Sequence, residues 1–479
     1  MKKYDLVVIG GGPAGYSGAI RGAQLGGSVL LIEDRSLGGT CLNRGCIPTK
    51  AFYQGSKMLY DLKKSSEYGV FAKSIELEKD IDIDISQLLK FKNETVDNLV
   101  SGINSLIKSN EIDYINGMAE IGKDNLITVN NEEIVAKNII LANGSNPNKS
   151  IVGDEISNFC WTADEVVSGD KFWQSSNKRV VIIGGGVIGV EMATVFAMLG
   201  KEVELIELES KPLPPFDEEI KKRIGTYLKR LGIKVHTNSK VTEVFETDEN
   251  SNYKYGLKVN KKKKDIEIMA DDIILSVGRE PNLNGIDPKL LGLKMERNYI
   301  VTNDKMQTNL DNVYAAGDIV SKGSQLAHAA MHQGIVAAEN AMNYRDSYFD
   351  SKAIPACVFS HPQVGTVGLT EDECKRQGIP YKVGKFPFKA NSKAMIMKEE
   401  GFAKIISHQE TNEVLGIHIL GPNASDLIQE GTIAVKYKLK DFQLAETIYS
   451  HPTLSETVWE AFLDLNDRPL HQASLKLKK

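Results

Sequence analysis

Two periods of apolar residues run through this chain. Uninterrupted apolar runs at residues 6–9 and 180–183 each stop at a cluster of glycines, and such short runs read as strands buried on both faces of a sheet. Residues 81–110 carry a different pattern, in which Leu88, Leu89, Val96, Leu99 and Ile103 recur near the helical period. They predict one long helix whose stripe packs into a core or an interface. Strand-length and helix-length stretches alternate, so the expected fold class is α/β.

The two apolar runs open a repeat. Residues 4–34 return, shifted by 174 positions, as residues 178–208. Gly10, Gly12 and Gly15 fall on Gly184, Gly186 and Gly189, Ala19 on Ala193, Leu25 on Leu199, and Glu33 on Glu207. Each copy is a strand, a G-x-G-x-x-G turn, a helix-length stretch and a second strand ending in an acid 23 positions after the first glycine. A glycine-rich turn alone says little. One that follows a strand, opens a helix and precedes such an acid is a dinucleotide-binding fingerprint. The first glycine permits the tight turn, the second lets a pyrophosphate approach, and the third lets helix pack on strand, while free N–H groups at the helix start hold the phosphates. Glu33 and Glu207 are each expected to accept hydrogen bonds from an adenosine ribose. A carboxylate there repels a 2′-phosphate, residues 208–214 contain no arginine, and Lys211 reads as a solvated loop residue, so the second site is expected to prefer NAD to NADP. Two such sites in one chain suggest FAD in the first and NAD in the second.

Composition narrows the class without changing it. The 479 residues are 42% hydrophobic and 25% charged, the make-up of a globular protein of roughly three domains. A net charge of -5 and the lack of a basic stripe interleaved with aromatics argue against nucleic acid as a partner. The basic cluster at residues 261–264 reads as a solvated hairpin tip. No run approaches the ~18 apolar residues of a membrane span, and residues 6–9 are too short a core for a signal peptide. The expected location is the cytoplasm, a reducing compartment. Five cysteines are an odd number and too sparse for a disulfide scaffold. Cys160, Cys357 and Cys374 stand alone and read as plain packed or surface thiols.

Cys41 and Cys46 are a close pair, inside GGTCLNRGCIPTK at residues 38–50. In a reducing compartment such a pair is redox-active or metal-binding, and the zinc reading is the weaker of the two because no second cysteine pair at ligand spacing accompanies it. On a regular helix their Cα atoms would stand about 8.6 Å apart, beyond the ~7 Å that a disulfide tolerates. A bonded segment must therefore be irregular, and Gly45 and Pro48 permit that. A helix continuing through Thr49 and Lys50 would direct its positive end at the thiols and favour thiolate.

This stretch resembles the active-site signature of the pyridine nucleotide-disulfide oxidoreductases, and the resemblance extends over nearly the whole chain. Ala316-Gly317-Asp318 is similar to the family's second FAD motif, Gly278-Arg279-Glu280-Pro281-Asn282 to its G-R-x-P-N turn, and Leu326-Ala327-His328 to the helix start beneath the isoalloxazine. Ala142-Asn143-Gly144-Ser145 stands where the family commonly has A-T-G-S, a change expected to alter one local hydrogen bond at most. The resemblance implies a redox disulfide between Cys41 and Cys46, with Cys41 facing substrate and Cys46 facing flavin. It also implies an FAD site formed with Gly144, Asp318 and Ala327, Lys50 near the flavin N5 and paired with Glu191, and Gly278 in the nicotinamide half.

Near the C-terminus, Ser450-His451-Pro452-Thr453-Leu454-Ser455-Glu456 contains Thr453-x-x-Glu456, a capping box for a helix over residues 457–465. In the family an H-P-T-x-S-E motif supplies His451 as a general base and Glu456 as its orienting acid, with the histidine coming from the partner subunit of a homodimer. Glu207, the T-L-S-E wording and the Cys41–Cys46 motif resemble most the branch that oxidises dihydrolipoamide. In that branch the dithiol is carried by a lipoyl-bearing protein of a 2-oxo acid dehydrogenase or glycine-cleavage complex. The alternative is an NADPH-linked reductase of a small disulfide such as glutathione disulfide. The expected organisation is two Rossmann-like dinucleotide-binding domains plus an α+β dimerisation domain: FAD-binding at 1–150, completed by 271–345, NAD-binding at 151–270, and the interface at 346–479.

Overall fold

Strands built from unbroken apolar runs need cover on both faces, and the chain supplies it with helices. The computed structural model describes residues 2–122, 126–174, 178–248, 250–262, 264–323 and 325–473. Strand Lys2–Ile9 lies between Val29–Glu33 and Glu132–Leu141, paired in parallel with both, and residues 6–9 are buried. Asp113–Asn116 extends the sheet beyond Val29–Glu33. The long strand Glu132–Leu141 changes partners along its length. Its first half pairs antiparallel with Leu126–Val129, and its last residues pair in parallel with Val313–Ala315, a strand that arrives from far along the chain. Helices Pro13–Gln24 and Ala327–Ala341 pack together over this sheet.

The second sheet repeats the design. Arg179–Ile183 is its centre, flanked in parallel by Glu202–Ile206 and Asp272–Leu275, with Lys234–His236 and Trp161–Thr162 outside them. A three-stranded antiparallel meander follows, Ser239–Glu246, Tyr255–Lys261 and Lys264–Ala270. Lys261 and Lys264 face each other across its last turn, as a hairpin tip requires; Lys263 lies outside the described residues. The third sheet is antiparallel throughout, in the order Ala356–Val358, Gln363–Gly368, Val414–Gly421, Phe402–His408, Tyr381–Pro387. Helices Ala424–Lys436 and Glu456–Leu465 pack on it.

Two local expectations need correction. The long helix spans Ile85–Ser109 and does not begin at 81, because the Asp84 carboxylate accepts from the N–H groups of Ser86 and Gln87 and caps it there. Ile81 and Ile83 still pack on the neighbouring core, in extended chain. Its buried stripe is Leu88, Lys92, Ile103 and Ile107, while Leu99 faces out, so one of the core-facing positions belongs to a lysine. Near the C-terminus only half of the capping box forms. Glu456 accepts from the Thr453 N–H at 2.8 Å, but the Thr453 hydroxyl donates to the Ser450 carbonyl and the helix starts at Glu456 itself.

The second and third sheets are joined by a buried charge cluster. Lys404 donates to both oxygens of Asp217 at 2.9 and 3.0 Å and pairs with Glu371, and Asp217 caps helix Glu218–Arg230. No helix among the described residues is long and apolar enough to cross a membrane.

Candidate active site

The two glycine-rich turns are superposable in their physics. Gly10 and Gly184 have φ of +100° and +106°, and a Cβ on either would stand 2.3 or 2.4 Å from the carbonyl oxygen of the strand crossing behind it, Ala142 or Ser276. Gly15 and Gly189 touch the turn itself, since a Cβ would lie 1.7 or 1.9 Å from the Gly10 or Gly184 oxygen. Gly12 and Gly186 are different. Their backbones are in an extended conformation open to any residue, and the nearest atom to a Cβ on Gly12 is at 3.8 Å while Gly186 has none within 4 Å. The protein's own atoms leave room for a side chain there, and both glycines line a cavity, so the room is for a ligand. Dinucleotide phosphates fit that cradle.

The acids close each turn. Glu33 accepts from the N–H of Gly11 at 2.6 Å and of Arg35 at 2.8 Å; Glu207 accepts from Gly185 at 2.6 Å and Glu209 at 2.7 Å. Each carboxylate thus braces its loop and still has lone pairs for a ribose. Lys211 is engaged by Glu218, and the cation that does reach the cavity near Glu207 is Lys240, from a later strand that sequence proximity could not reveal.

One cavity of about 950 Å³ runs between the two turns. Gly12, Glu33, Cys41, Cys46, Lys50, Gly144, Asp318 and Ala327 line it, and so do Gly184, Gly186, Glu191, Glu207 and Gly278. Gly10, Gly15 and Gly189 stand behind the wall, where they shape the turns. Cys357, alone in the sequence, lines the same cavity, and burial pushes its thiol up to about 11.

The cysteine segment is seated directly on the first turn. At Gly39 (φ +59°) a Cβ would stand 2.5 Å from the Gly12 Cα, so this contact requires a glycine at 39. Helix Gly39–Arg44 carries Cys41 and breaks at Gly45 (φ -144°, ψ -108°), and helix Cys46–Lys63 starts at once. This break is the irregularity that the spacing demanded. Both cysteines are free thiols and both are partly buried. The Cys41 thiol donates to the Cys46 sulfur, which pushes Cys41 up. The same hydrogen bond, together with the Lys50 charge, lowers Cys46 to about 7 against the opposing effect of burial. The start of an 18-residue helix at Cys46 acts in the same direction.

Lys50 is one turn along that helix and binds Glu191 at 2.8 Å, joining the first nucleotide unit to the helix of the second. Burial would lower the Lys50 ammonium, but Glu191 and the two sulfurs more than compensate and raise it. The other oxygen of Glu191 accepts from the Phe359 N–H at 2.9 Å, and Lys50 lies 4.6 Å from the Phe359 ring centre. Asp318 is held at the opposite wall by Ser145, whose hydroxyl donates at 2.6 Å and accepts from Arg279 Nε at 2.8 Å; Arg279 also pairs with Asp164 at 2.7 Å. Burial raises the Asp318 carboxyl. Asn143 donates to the Asn284 carbonyl at 3.2 Å.

His451 and Glu456 are bonded to each other, Nδ1 to Oε1 at 2.8 Å, yet the imidazole is 70% exposed and lies off the cavity wall of its own chain. Sequence patterning missed Asp164 and Lys240, which lie in segments with no repeat or periodicity to flag them, and gave no role to Arg44 and Arg279 although both stand inside the quoted motifs.

A cavity holding two dinucleotide cradles and a dithiol at their junction defines a class of flavin- and nicotinamide-linked disulfide enzymes. Residues 4–334 match the pyridine nucleotide-disulphide oxidoreductase family and residues 354–462 match its dimerisation domain; the chain belongs to that family. Among curated relatives it is similar to the dihydrolipoyl dehydrogenase of Thermus scotoductus, at 37% identity over 98% of this chain and 99% of that protein. It is also 34% identical to a dihydrolipoyl dehydrogenase of Bacillus subtilis (98% and 99% covered) and 36% identical to the mitochondrial one of Pisum sativum (98% and 92%).

Proposed function

We propose that this chain is a dihydrolipoyl dehydrogenase, an FAD enzyme that oxidises protein-bound dihydrolipoamide to lipoamide and reduces NAD. The observation that carries it is the seat of Cys41 and Cys46: on the first dinucleotide turn, opening a helix, in one cavity with a second turn whose acid, Glu207, selects against a 2′-phosphate. The relatives' names support the same reading. Residues 1–150 with 271–345 hold FAD, residues 151–270 hold NAD, and residues 346–479 pair two copies. Gly10, Gly12, Gly15, Glu33, Lys50, Gly144, Asp318 and Ala327 serve FAD; Gly184, Gly186, Gly189, Glu191, Glu207 and Gly278 serve NAD.

The chemistry of the chain's own groups follows from their electrostatics. With Cys41 and Cys46 oxidised, a substrate thiolate bonds to Cys41 Sγ, the Cys41–Cys46 bond breaks, and Cys46 leaves as a thiolate beside Lys50. The second substrate thiolate then attacks its own sulfur on Cys41, releasing the cyclic disulfide, and Cys41 takes up a proton. Bound FAD supplies the two-electron relay from the cysteine pair to NAD. His451 of the partner subunit removes the substrate protons, with the Glu456 carboxylate fixing its tautomer and orientation. The exposed His451 and the exposed apolar side chains of Ile433, Tyr437, Phe442 and Ile448 suit a surface that a second copy covers. A lipoyl-bearing protein of a multienzyme complex is the partner, and the reducing cytoplasm suits a pair that cycles through the dithiol.

Steady-state turnover with dihydrolipoamide, with glutathione disulfide and with each nicotinamide tests the proposal. The expected result is NAD-linked oxidation of dihydrolipoamide, lost in Cys46→Ser; NADPH-linked reduction of glutathione disulfide as the faster reaction would replace this reading with the alternative.

A further inference from the structure

Arg44 ends the helix that carries Cys41 and lines the cavity, and its Nε is buried without an acceptor among the described residues. Two of the three acids whose charge reaches it are engaged elsewhere, and the third, Asp34, accepts nothing from its Nε. Asp164 is paired with Arg279, and both oxygens of Glu33 accept backbone N–H groups. Arg35 is the other cation beside it, so the pocket holds two guanidinium groups whose charges oppose each other. Burial and the Arg35 charge together hold Arg44 below its ordinary value. A buried, charged donor with no acceptor is a costly arrangement unless the acceptor arrives with a ligand. Guanidinium groups are suited to phosphate oxygens, which they meet with paired N–H donors.

The position of the side chain says which part of the ligand it meets. The charged groups that act on it are Arg35, Asp164, Glu33 and Asp34, three of them at the end of the strand whose acid faces the ribose, and Lys50 and Glu191 at the thiol end are not among them. We propose that Arg44 anchors the adenosine diphosphate half of FAD, an inference that rests on FAD occupying the first site. Because Arg44 and Cys41 share one short helix that begins against Gly12, the anchor also ties the redox segment to the bound cofactor.

The test uses full-length apoprotein of the parent chain, Arg44→Met and Arg44→Lys, titrated with FAD and with FMN, which lacks the adenylate half. Loss of a charge-assisted contact predicts FAD binding weakened roughly tenfold to a hundredfold in Arg44→Met, with part of it restored in Arg44→Lys. FMN binding is expected to be unchanged across the three. An Arg44→Met protein that binds FAD as the parent does, or loses FMN to the same degree, overturns the proposal. Melting of the three apoproteins guards against a folding defect: the expected midpoint for Arg44→Met is at or above the parent's, and a marked drop would make Arg44 a residue of the fold instead. A parent chain that purifies and reconstitutes without flavin would refute the FAD reading itself, a result distinct from all of these.

Discussion

Replacing Gly186 with alanine separates what the chain needs from what its ligand needs. The backbone there has φ -72° and ψ -170°, open to any residue, and no heavy atom lies within 4 Å of the new methyl. Alanine narrows the unfolded ensemble, a stabilisation of about 0.4–1 kcal/mol, and is a slightly poorer helix N-cap than glycine, so the two effects nearly cancel. Stability should therefore be unchanged. The methyl would nonetheless occupy the path of the NAD pyrophosphate, and overpacking of that kind costs about 1–3 kcal/mol, a factor of about 5 to 150 in affinity. Gly189→Ala makes the contrast. Its methyl would stand 1.9 Å from the Gly184 oxygen and 2.7 Å from the Ser276 hydroxyl, so helix and strand must separate. Thermal melting of the flavin-loaded proteins and the KM for NAD measure both effects, and reduction of the enzyme by dihydrolipoamide alone reports that the dithiol half is intact. Gly186→Ala with an unchanged KM for NAD, or with a melting temperature lowered as far as that of Gly189→Ala, would refute the reasoning.

Cys46 should titrate near 7 in the dithiol enzyme, protonated below and thiolate above, and its largest stabiliser is the Cys41 hydrogen bond. Cys41→Ala should raise that value while Cys41→Ser, which keeps a donor, should hold it low; the ultraviolet absorbance of the thiolate across a pH series distinguishes them. His451→Gln should lower dihydrolipoamide oxidation by about 10²- to 10⁴-fold, the worth of a general base, while NADH oxidation by an artificial acceptor proceeds unchanged. Loss of both activities would count against a base that acts only on the dithiol. Asp217→Ala should destabilise the protein by about 3 kcal/mol, the lower end for breaking a buried pair, because Glu371 remains beside Lys404. The Lys404 charge and hydrogen bond and the Glu219 N–H help lower the Asp217 carboxyl in spite of burial, so the pair's contribution is present above the unfolded carboxylate range and fades as pH falls through the lower folded value. Denaturant melts near neutrality and in acid check size and direction together.

Local rules carried the nucleotide-binding units. The glycine triads, the strands before them and the acids after them lie within one short stretch each, and in that span backbone sterics and hydrogen bonding decide the structure. The break at Gly45 followed from the length of a disulfide set against the rise of a helix. The start of the long helix was misplaced because an aspartate cap at Asp84 outweighed the apolar period, and Lys92 is buried on the core-facing stripe, a place that apolar periodicity does not assign to a lysine.

The α/β class, the two dinucleotide turns and the pair of thiols were legible in advance, since each is written in residues close enough to interact along one stretch of backbone. Tertiary packing brings both turns onto one cavity, sets Lys50 against Glu191 at 2.8 Å, lets Arg279 brace Asp318 through Ser145, and leaves His451 exposed and off its own chain's cavity wall. Those juxtapositions depend on how separately formed layers bury their apolar faces against each other. That packing is settled by the whole core and leaves no mark at any single position.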